Sequence, residues 1–289
     1  MKISVWPSQV PGNGINLYQD LTSYMSKTDQ IVEGTYDADA ALIWSVLWNG
    51  KMSRNHNVWN HYRGKNKPVI VIEVGGLIRN QTWRLSVNGI TRSAIFPAIK
   101  KFDNDRPKKL NINLKPWHNG EYVLICGQHG KSEQWRNMPP MNEYYKRTVL
   151  EIRKYTQRPI VIRSHPRYRE NIFFNIDTDF YKNYQVEWNV PKHIQQTYDS
   201  FDLEPLLAHC HCTISHSSNS GLSSIIEGTP AIVSQESLAY DVSNKEISLI
   251  ENLLMPDRDQ WLIELCHKEW LEEELSQVWL MLREQLCQS

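Results

Sequence analysis

The sequence predicts an α/β protein built on parallel sheets, and three observations carry that expectation. Apolar runs of strand length alternate with amphipathic segments of helix length along most of the chain. Its 289 residues suffice for two modest α/β domains. The alternation breaks once, over a polar, Lys-rich stretch from Pro97 to His118, and then restarts, as at a crossover between domains.

Taken in order, Ile3–Trp6 reads as a strand, the Pro7-to-Gly14 stretch as a loop and Ile15–Met25 as a helix. Asp39–Trp44 and Pro68–Glu73 are further strands, with a helix over Asn57–Arg63 between them. After a boundary near residue 116, Glu121–Cys126 is a strand and Asn142–Tyr155 a helix opened by Pro139-Pro140. Pro159–Arg163, Cys212–Ser215 and Ala231–Ser234 are strands, and Leu203–His209 and Gly221–Glu227 are helices. From Asp257 to Gln288 apolar residues recur at spacings near three and four, so this tail is helical and must bury one face. The expected organisation is a first domain over 1–116, a second over 117–256, and C-terminal helices over 257–289 that pack back. No repeat period is visible, which excludes solenoids and propellers.

Composition narrows the function classes. Hydrophobic residues make up 40% and charged residues 22%, so the chain can bury a real core. Thirty-two basic residues balance thirty-two acidic ones, so a grip on nucleic acid would need a local basic patch. Five irregularly spaced cysteines argue against a secreted disulfide framework and fit a reducing cytoplasm. No apolar stretch approaches the roughly 20 residues needed to cross a bilayer, so no membrane insertion is expected. The chain has eleven Trp residues, many beside polar ones, which suits either sugars and bases or ordinary packing.

The most informative segment runs from Cys212 to Val233. A short strand leads into Ser217, Ser218, Asn219 and Ser220, then Gly221 and an apolar helix. This brings unpaired backbone N–H groups, hydroxyls and the positive end of a helix dipole to one point, a candidate phosphate cradle. The same residues could simply cap a helix. Glu227 closes that helix, is expected near the carboxyl edge of the sheet, and could accept ribose hydroxyls. Arg163, His165 and Arg167 follow a buried strand on a loop stiffened by Pro166, where fixed cations suit phosphate oxygens. Gln128 and His129 sit in a turn flanked by Gly127 and Gly130.

Together these segments resemble the donor domain of GT-B glycosyltransferases. The resemblance rests on the Gly-Gln turn, the Arg-x-His-Pro-Arg strand end, the Asp202-Leu203-x-x-Leu206-Leu207 helix and the Ser-rich turn closing in Glu-Gly-Thr-Pro. It covers about residues 120 to 235 and is nearest to capsular-polysaccharide transferases and to phage enzymes that glycosylate hydroxylated DNA pyrimidines. It implies two Rossmann-like domains with parallel sheets facing across a cleft, and a nucleotide-diphosphate sugar, UDP-sugar favoured, as donor. It maps diphosphate binding onto Arg163, His165, Ser217, Ser218 and Asn219, and ribose binding onto Glu227.

In the first half, Glu73 at the end of a buried strand, followed by Gly75-Gly76, is the candidate general base for an inverting transfer; a structural hydrogen bond there is the alternative. Asn13, Gly14, Trp83 and Asn88 are lesser cleft candidates. The acceptor is either DNA or a glycan. Lys100, Lys101, Arg106, Lys108, Lys109 and the Trp-rich first half lean toward DNA, since base access needs phosphate contacts and a stacking wedge. No cofactor or metal is required, because donors and dipoles can neutralise the leaving diphosphate. His209-Cys210-His211-Cys212 lacks a second ligand pair for zinc. There is no G-x-G-x-x-G, P-loop or G-x-S-x-G, which sets aside nicotinamide, kinase and hydrolase readings. A non-catalytic nucleotide-binding protein and a sugar-nucleotide epimerase stay open.

Overall fold

The computed structural model describes residues 1–167, 177–197 and 199–288. The chain forms two compact units. The first takes Met1–Leu110 together with the segment from Ile263 onward, and the second takes Asn111–Leu262.

The first unit holds β1 (Lys2–Val5), α1 (Ile15–Met25), β2 (Gln30–Glu33), β3 (Ala40–Trp44), α2 (Asn55–Gly64), β4 (Val69–Val74), β5 (Trp83–Val87) and the single turn α3 (Arg106–Lys109). Its sheet has the order β2-β1-β3-β4-β5, parallel except for β5, which runs antiparallel to β4. β3 is buried along its whole length, because a parallel strand covered on both faces needs apolar residues at every position. Its period-two alternation then sorts residues between two cores. Ala40, Leu42 and Trp44 join Leu17, Tyr18 and Leu21 of α1, whereas Ala41 and Ile43 join Val58, Trp59 and Tyr62 of α2.

The second unit holds β6 (Tyr122–Cys126), α4 (Met141–Ile152), β7 (Ile160–Arg163), α5 (Thr178–Asn183), β8 (Val186–Asn189), α6 (Glu204–Leu207), β9 (Cys210–Ser215), α7 (Asn219–Ile226) and β10 (Ala231–Val233). The sheet order is β10-β9-β6-β7-β8, and all its pairings are parallel. Val123, Ile125, Ile160 and Ile162 face Tyr145, Val149 and Ile152 of α4. α8 (Asp259–Cys266) carries the chain across the boundary, and α9 (Leu275–Gln288) belongs to the first unit. There Leu275, Val278, Trp279 and Leu282 share a core with α1 and β5.

One buried carboxylate fastens this returning segment. Glu269 has no exposed surface and accepts hydrogen bonds from Gly76 N (2.7 Å), Leu77 N (2.9 Å), Thr82 Oγ1 (2.7 Å), and Arg84 Nε (2.9 Å) and Nη2 (2.6 Å). A Cβ on Gly75 would overlap both Thr82 Oγ1 and this carboxylate, so the Gly75-Gly76 pair serves the fastening. Burial opposes the charge on Glu269, yet Arg84 and the surrounding donors hold its pKa below the usual carboxylate value. The next residue, Trp270, pairs its backbone with Trp83 and lies under the Arg106 guanidinium.

Arg106 corrects a sequence expectation. Grouped with the crossover lysines as a phosphate contact, it is only 7% exposed and spends its donors on Cys266 O, Glu269 O and both oxygens of Glu274. Lys109 pairs with Asp103 at 2.5 Å, while Lys100, Lys101 and Lys108 are exposed. Seven of the eleven tryptophans (Trp44, Trp59, Trp83, Trp135, Trp261, Trp270 and Trp279) are buried in cores, so packing accounts for most of the tryptophan content.

Replacing Glu269 with Ala strands a buried guanidinium and is expected to cost about 3–5 kcal/mol of unfolding free energy in urea titrations. A loss under 1 kcal/mol would contradict the fastening. His267, buried against Phe102 and Trp270, accepts from Asp103 N at Nε2 (3.1 Å) and donates from Nδ1 to Ile263 O (2.7 Å). Burial holds its pKa below 6.5, and the same cause lowers that of His216. The unfolded chain therefore binds more protons once the pH drops below about 6.5, and stability declines from there. His267→Gln should shrink the fall in melting temperature between pH 7.5 and 5.5.

Candidate functional site

In the second sheet β6 lies between β7 and β9, and the winding direction reverses there. Chain leaving the carboxyl ends of β6 and β9 diverges to opposite faces, which opens the crevice where open α/β sheets bind ligands. Gln128 follows β6 and Ser217 follows β9, so two of the sequence-selected residues meet at this point. Gln128, 7% exposed, donates from Nε2 to Ser217 Oγ at 3.1 Å and accepts from Ser217 N at 3.2 Å. Ser218 caps α7 by accepting from Ser220 N at 3.4 Å. Asn219 is the first residue of α7, and the dipole of that helix puts partial positive charge at the crevice.

Two hydroxyls there are turned inward: Ser220 Oγ reaches the Cys126 thiol, whereas Ser215 Oγ has no hydrogen-bond partner among the described residues. Ser220 Oγ is buried at the first turn of α7, and Ser215 Oγ is buried at the end of β9 in a residue only 3% exposed. A Cβ on Gly221 would lie 3.2 Å from Ser215 Oγ, so the glycine lets the helix start close against that hydroxyl. Ser215 was not singled out in the sequence, where one serine ending an apolar strand gives no signal. Gly127 also works through space. Its φ is not positive, but a Cβ would overlap the Tyr145 hydroxyl. Burial pushes the neighbouring Cys126 thiol up to about 11, so it is un-ionised at neutral pH.

His129 and His165 stack edge to face with centroids 5.3 Å apart. His129 Nδ1 accepts from Lys131 N at 3.1 Å, and His165 Nδ1 accepts from Arg167 N at 3.2 Å. Each neutral imidazole therefore carries its proton on Nε2. The cations are otherwise engaged. Arg163 hydrogen-bonds Asn189 on β8 and pairs with Asp202 at 2.9 Å, and Arg167 pairs with the buried Asp199 at 2.7 Å. Burial opposes the charge of Asp202, but Lys192 N and Arg163 hold its pKa below the usual carboxylate value.

Glu227 is not brought to this crevice, contrary to the sequence expectation that it lies near the carboxyl edge. α7 runs from the carboxyl end of β9 toward the amino end of β10, so its last turn sits at the opposite edge of the sheet. Nine steps at 1.5 Å each put Glu227 about 13.5 Å from Ser218 along the helix. Its carboxylate pairs with Lys115 and, with His118 and Glu204, lines a separate cavity of about 460 Å³.

In the first unit Glu73 lies at the carboxyl end of β4, half-buried. Its Oε2 accepts from Ser45 Oγ at 2.6 Å and its Oε1 from Val74 N at 3.0 Å. The lesser candidates have structural employment. Trp83 is in the core, Asn88 Oδ1 accepts from Val69 N at 3.0 Å, and Gly14 faces the Trp44 ring, which a Cβ would overlap. Among the described residues no three His, Cys, Asp or Glu side chains gather as a metal site, and no helix is long and apolar enough to cross a membrane.

These features define a class of fold: two doubly wound α/β units, each with its own switch point. Solved structures share it. The β-Kdo 2,7-transferase of KpsC from Thermosulfurimonas dismutans aligns with a TM-score of 0.50 and 10% identity over 99% of this chain and 100% of its own. The β-Kdo 2,4-transferase of the same KpsC aligns at 0.51 and 14% identity over 93% of this chain and 89% of its own. The chain thus shares with these transferases a fold of two Rossmann-like α/β units. No protein-family model and no curated protein matches the chain.

Gly127→Ala, which forces a methyl group against Tyr145, should cost about 1–3 kcal/mol in urea unfolding. An unchanged midpoint would show that the β6 turn has slack.

Proposed function

We propose that the chain is a glycosyltransferase that moves a sugar from a nucleotide-diphosphate carrier, UDP favoured, to a hydroxyl of a glycan. The observation that carries this reading is the crevice between β6 and β9, where Gln128, Ser217, Ser218, the unpartnered Ser215 hydroxyl and the start of α7 converge in a fold shared with glycosyltransferases. The diphosphate would lie on the first turn of α7. Nε2–H of His129 and of His165 would donate to its oxygens, with Arg163 and Arg167 shaping the wall from within their ion pairs. Developing charge on the leaving diphosphate would be met by N–H and O–H donors, without a metal. Glu73 would take the proton of the attacking hydroxyl, giving inversion.

A glycan acceptor is favoured over a hydroxylated pyrimidine in DNA because two of the five basic residues invoked for DNA are engaged internally and most tryptophans are core. It is also the acceptor class that suits the capsule-transferase resemblance in the sequence.

A thermal-shift panel of nucleoside mono- and diphosphates and nucleotide sugars should give a selective rise with one nucleotide, lost in Ser218→Ala and Gln128→Ala. A flat panel would remove the donor site. With the donor identified, sugar incorporation into oligosaccharide acceptors and into DNA carrying 5-hydroxymethylpyrimidines separates the acceptor classes; incorporation into DNA alone would reverse the preference. EDTA should leave the rate unchanged, and abolition by EDTA would require a cation at the diphosphate.

A further inference from the structure

Ser45 is the residue that aims Glu73. It immediately follows β3, beside the switch point of the first sheet between β1 and β3. Its φ is +63°, in the left-handed region that disfavours side chains other than Gly, Asn and Asp. The other positive-φ non-glycine residues among those described are Asn66, Asn80, Asn88, Asn111, Gln185 and Gln196, and none of them is buried. Ser45, by contrast, is 2% exposed. A buried, non-Asn residue held in this conformation is strained and persists where its neighbours over-determine it.

The hydrogen bonds show what the strain secures. Ser45 N donates to Ile72 O at 2.8 Å, which holds the turn against β4. Ser45 Oγ accepts from Leu47 N at 3.1 Å, so its own proton is directed the other way, onto Glu73 Oε2 at 2.6 Å. With Val74 N on Oε1, each carboxylate oxygen has one fixed donor and keeps a lone pair to receive a proton. The register partner of Glu73 on β5 is Arg84, which gives Nε and Nη2 to Glu269. On β3 the neighbouring side chains, Trp44 and Ser45, carry no charge.

We infer that Ser45 is a positioning residue, holding the Glu73 carboxylate in one orientation for proton abstraction from an acceptor hydroxyl. This rests on the reading of Glu73 as base.

The test uses Ser45→Gly, which removes the hydroxyl while relaxing the left-handed backbone, so the fold is not penalised. Carbon-13 NMR of glutamate-labelled protein follows the Glu73 carboxyl, assigned by its loss in Glu73→Gln. That carboxyl resonance should move and broaden in Ser45→Gly, as expected for a carboxylate released from one fixed orientation. With the nucleotide sugar found in the melting panel, kcat of Ser45→Gly should fall at least tenfold with the donor KM unchanged. An unmoved resonance, or unchanged kcat in a variant set where Glu73→Gln is inactive, overturns the role of Ser45 alone. Full transfer by Glu73→Gln overturns the base reading and the Ser45 role with it.

Discussion

The Glu269 carboxylate is the constraint on which the first unit depends. A carboxylate without solvent is tolerable only when every lone pair is answered, and here five donors answer it from two backbone amides, a hydroxyl and a guanidinium. Much else follows from that requirement. The loop after β4 needs glycine where a methyl group would strike the carboxylate, β5 needs a basic residue at a buried position, and Trp270 is brought beside Trp83. A segment 185 residues away in sequence thereby closes the edge of the first sheet.

The two switch points are built differently. At the second sheet's, polar groups are neutral and the nearby guanidiniums are already neutralised by Asp199 and Asp202. An anion arriving there would meet oriented N–H and O–H dipoles, whose reorganisation on charge transfer is small. At the first sheet's, a single carboxylate, Glu73, takes its hydrogen bond from a serine in the left-handed backbone region.

How far the sequence could be read follows from what each residue answers to. β3, β4, β6, β7 and β9 were legible because strands covered on both faces are continuous apolar runs. β2 and β8 were not, being edge strands of four half-exposed residues with mixed polarity. β5 was hidden because Arg84 looks like a surface residue until its distant partner is known. In the candidate site, the Ser217–Ser220 cluster was visible as composition and the Gln128 turn as a glycine pattern. Glu227 was placed at the wrong edge because a helix end read from sequence does not say which side of the sheet it faces. Ser45 and Ser215 are single serines whose meaning lies in a backbone angle and a missing partner, and neither leaves a trace in sequence spacing.

The return of α9 to the first unit also sets an order of assembly. Residues 111–262 form their unit from one uninterrupted stretch, whereas the unit containing residues 1–110 lacks Trp279 and its neighbours until residues 275–282 are made. On a ribosome, the half synthesised first is therefore the half that matures last. Meanwhile α1 and β5 keep their apolar faces uncovered, and a chaperone that shields them through synthesis of the second unit would act where nascent chains are most exposed to aggregation.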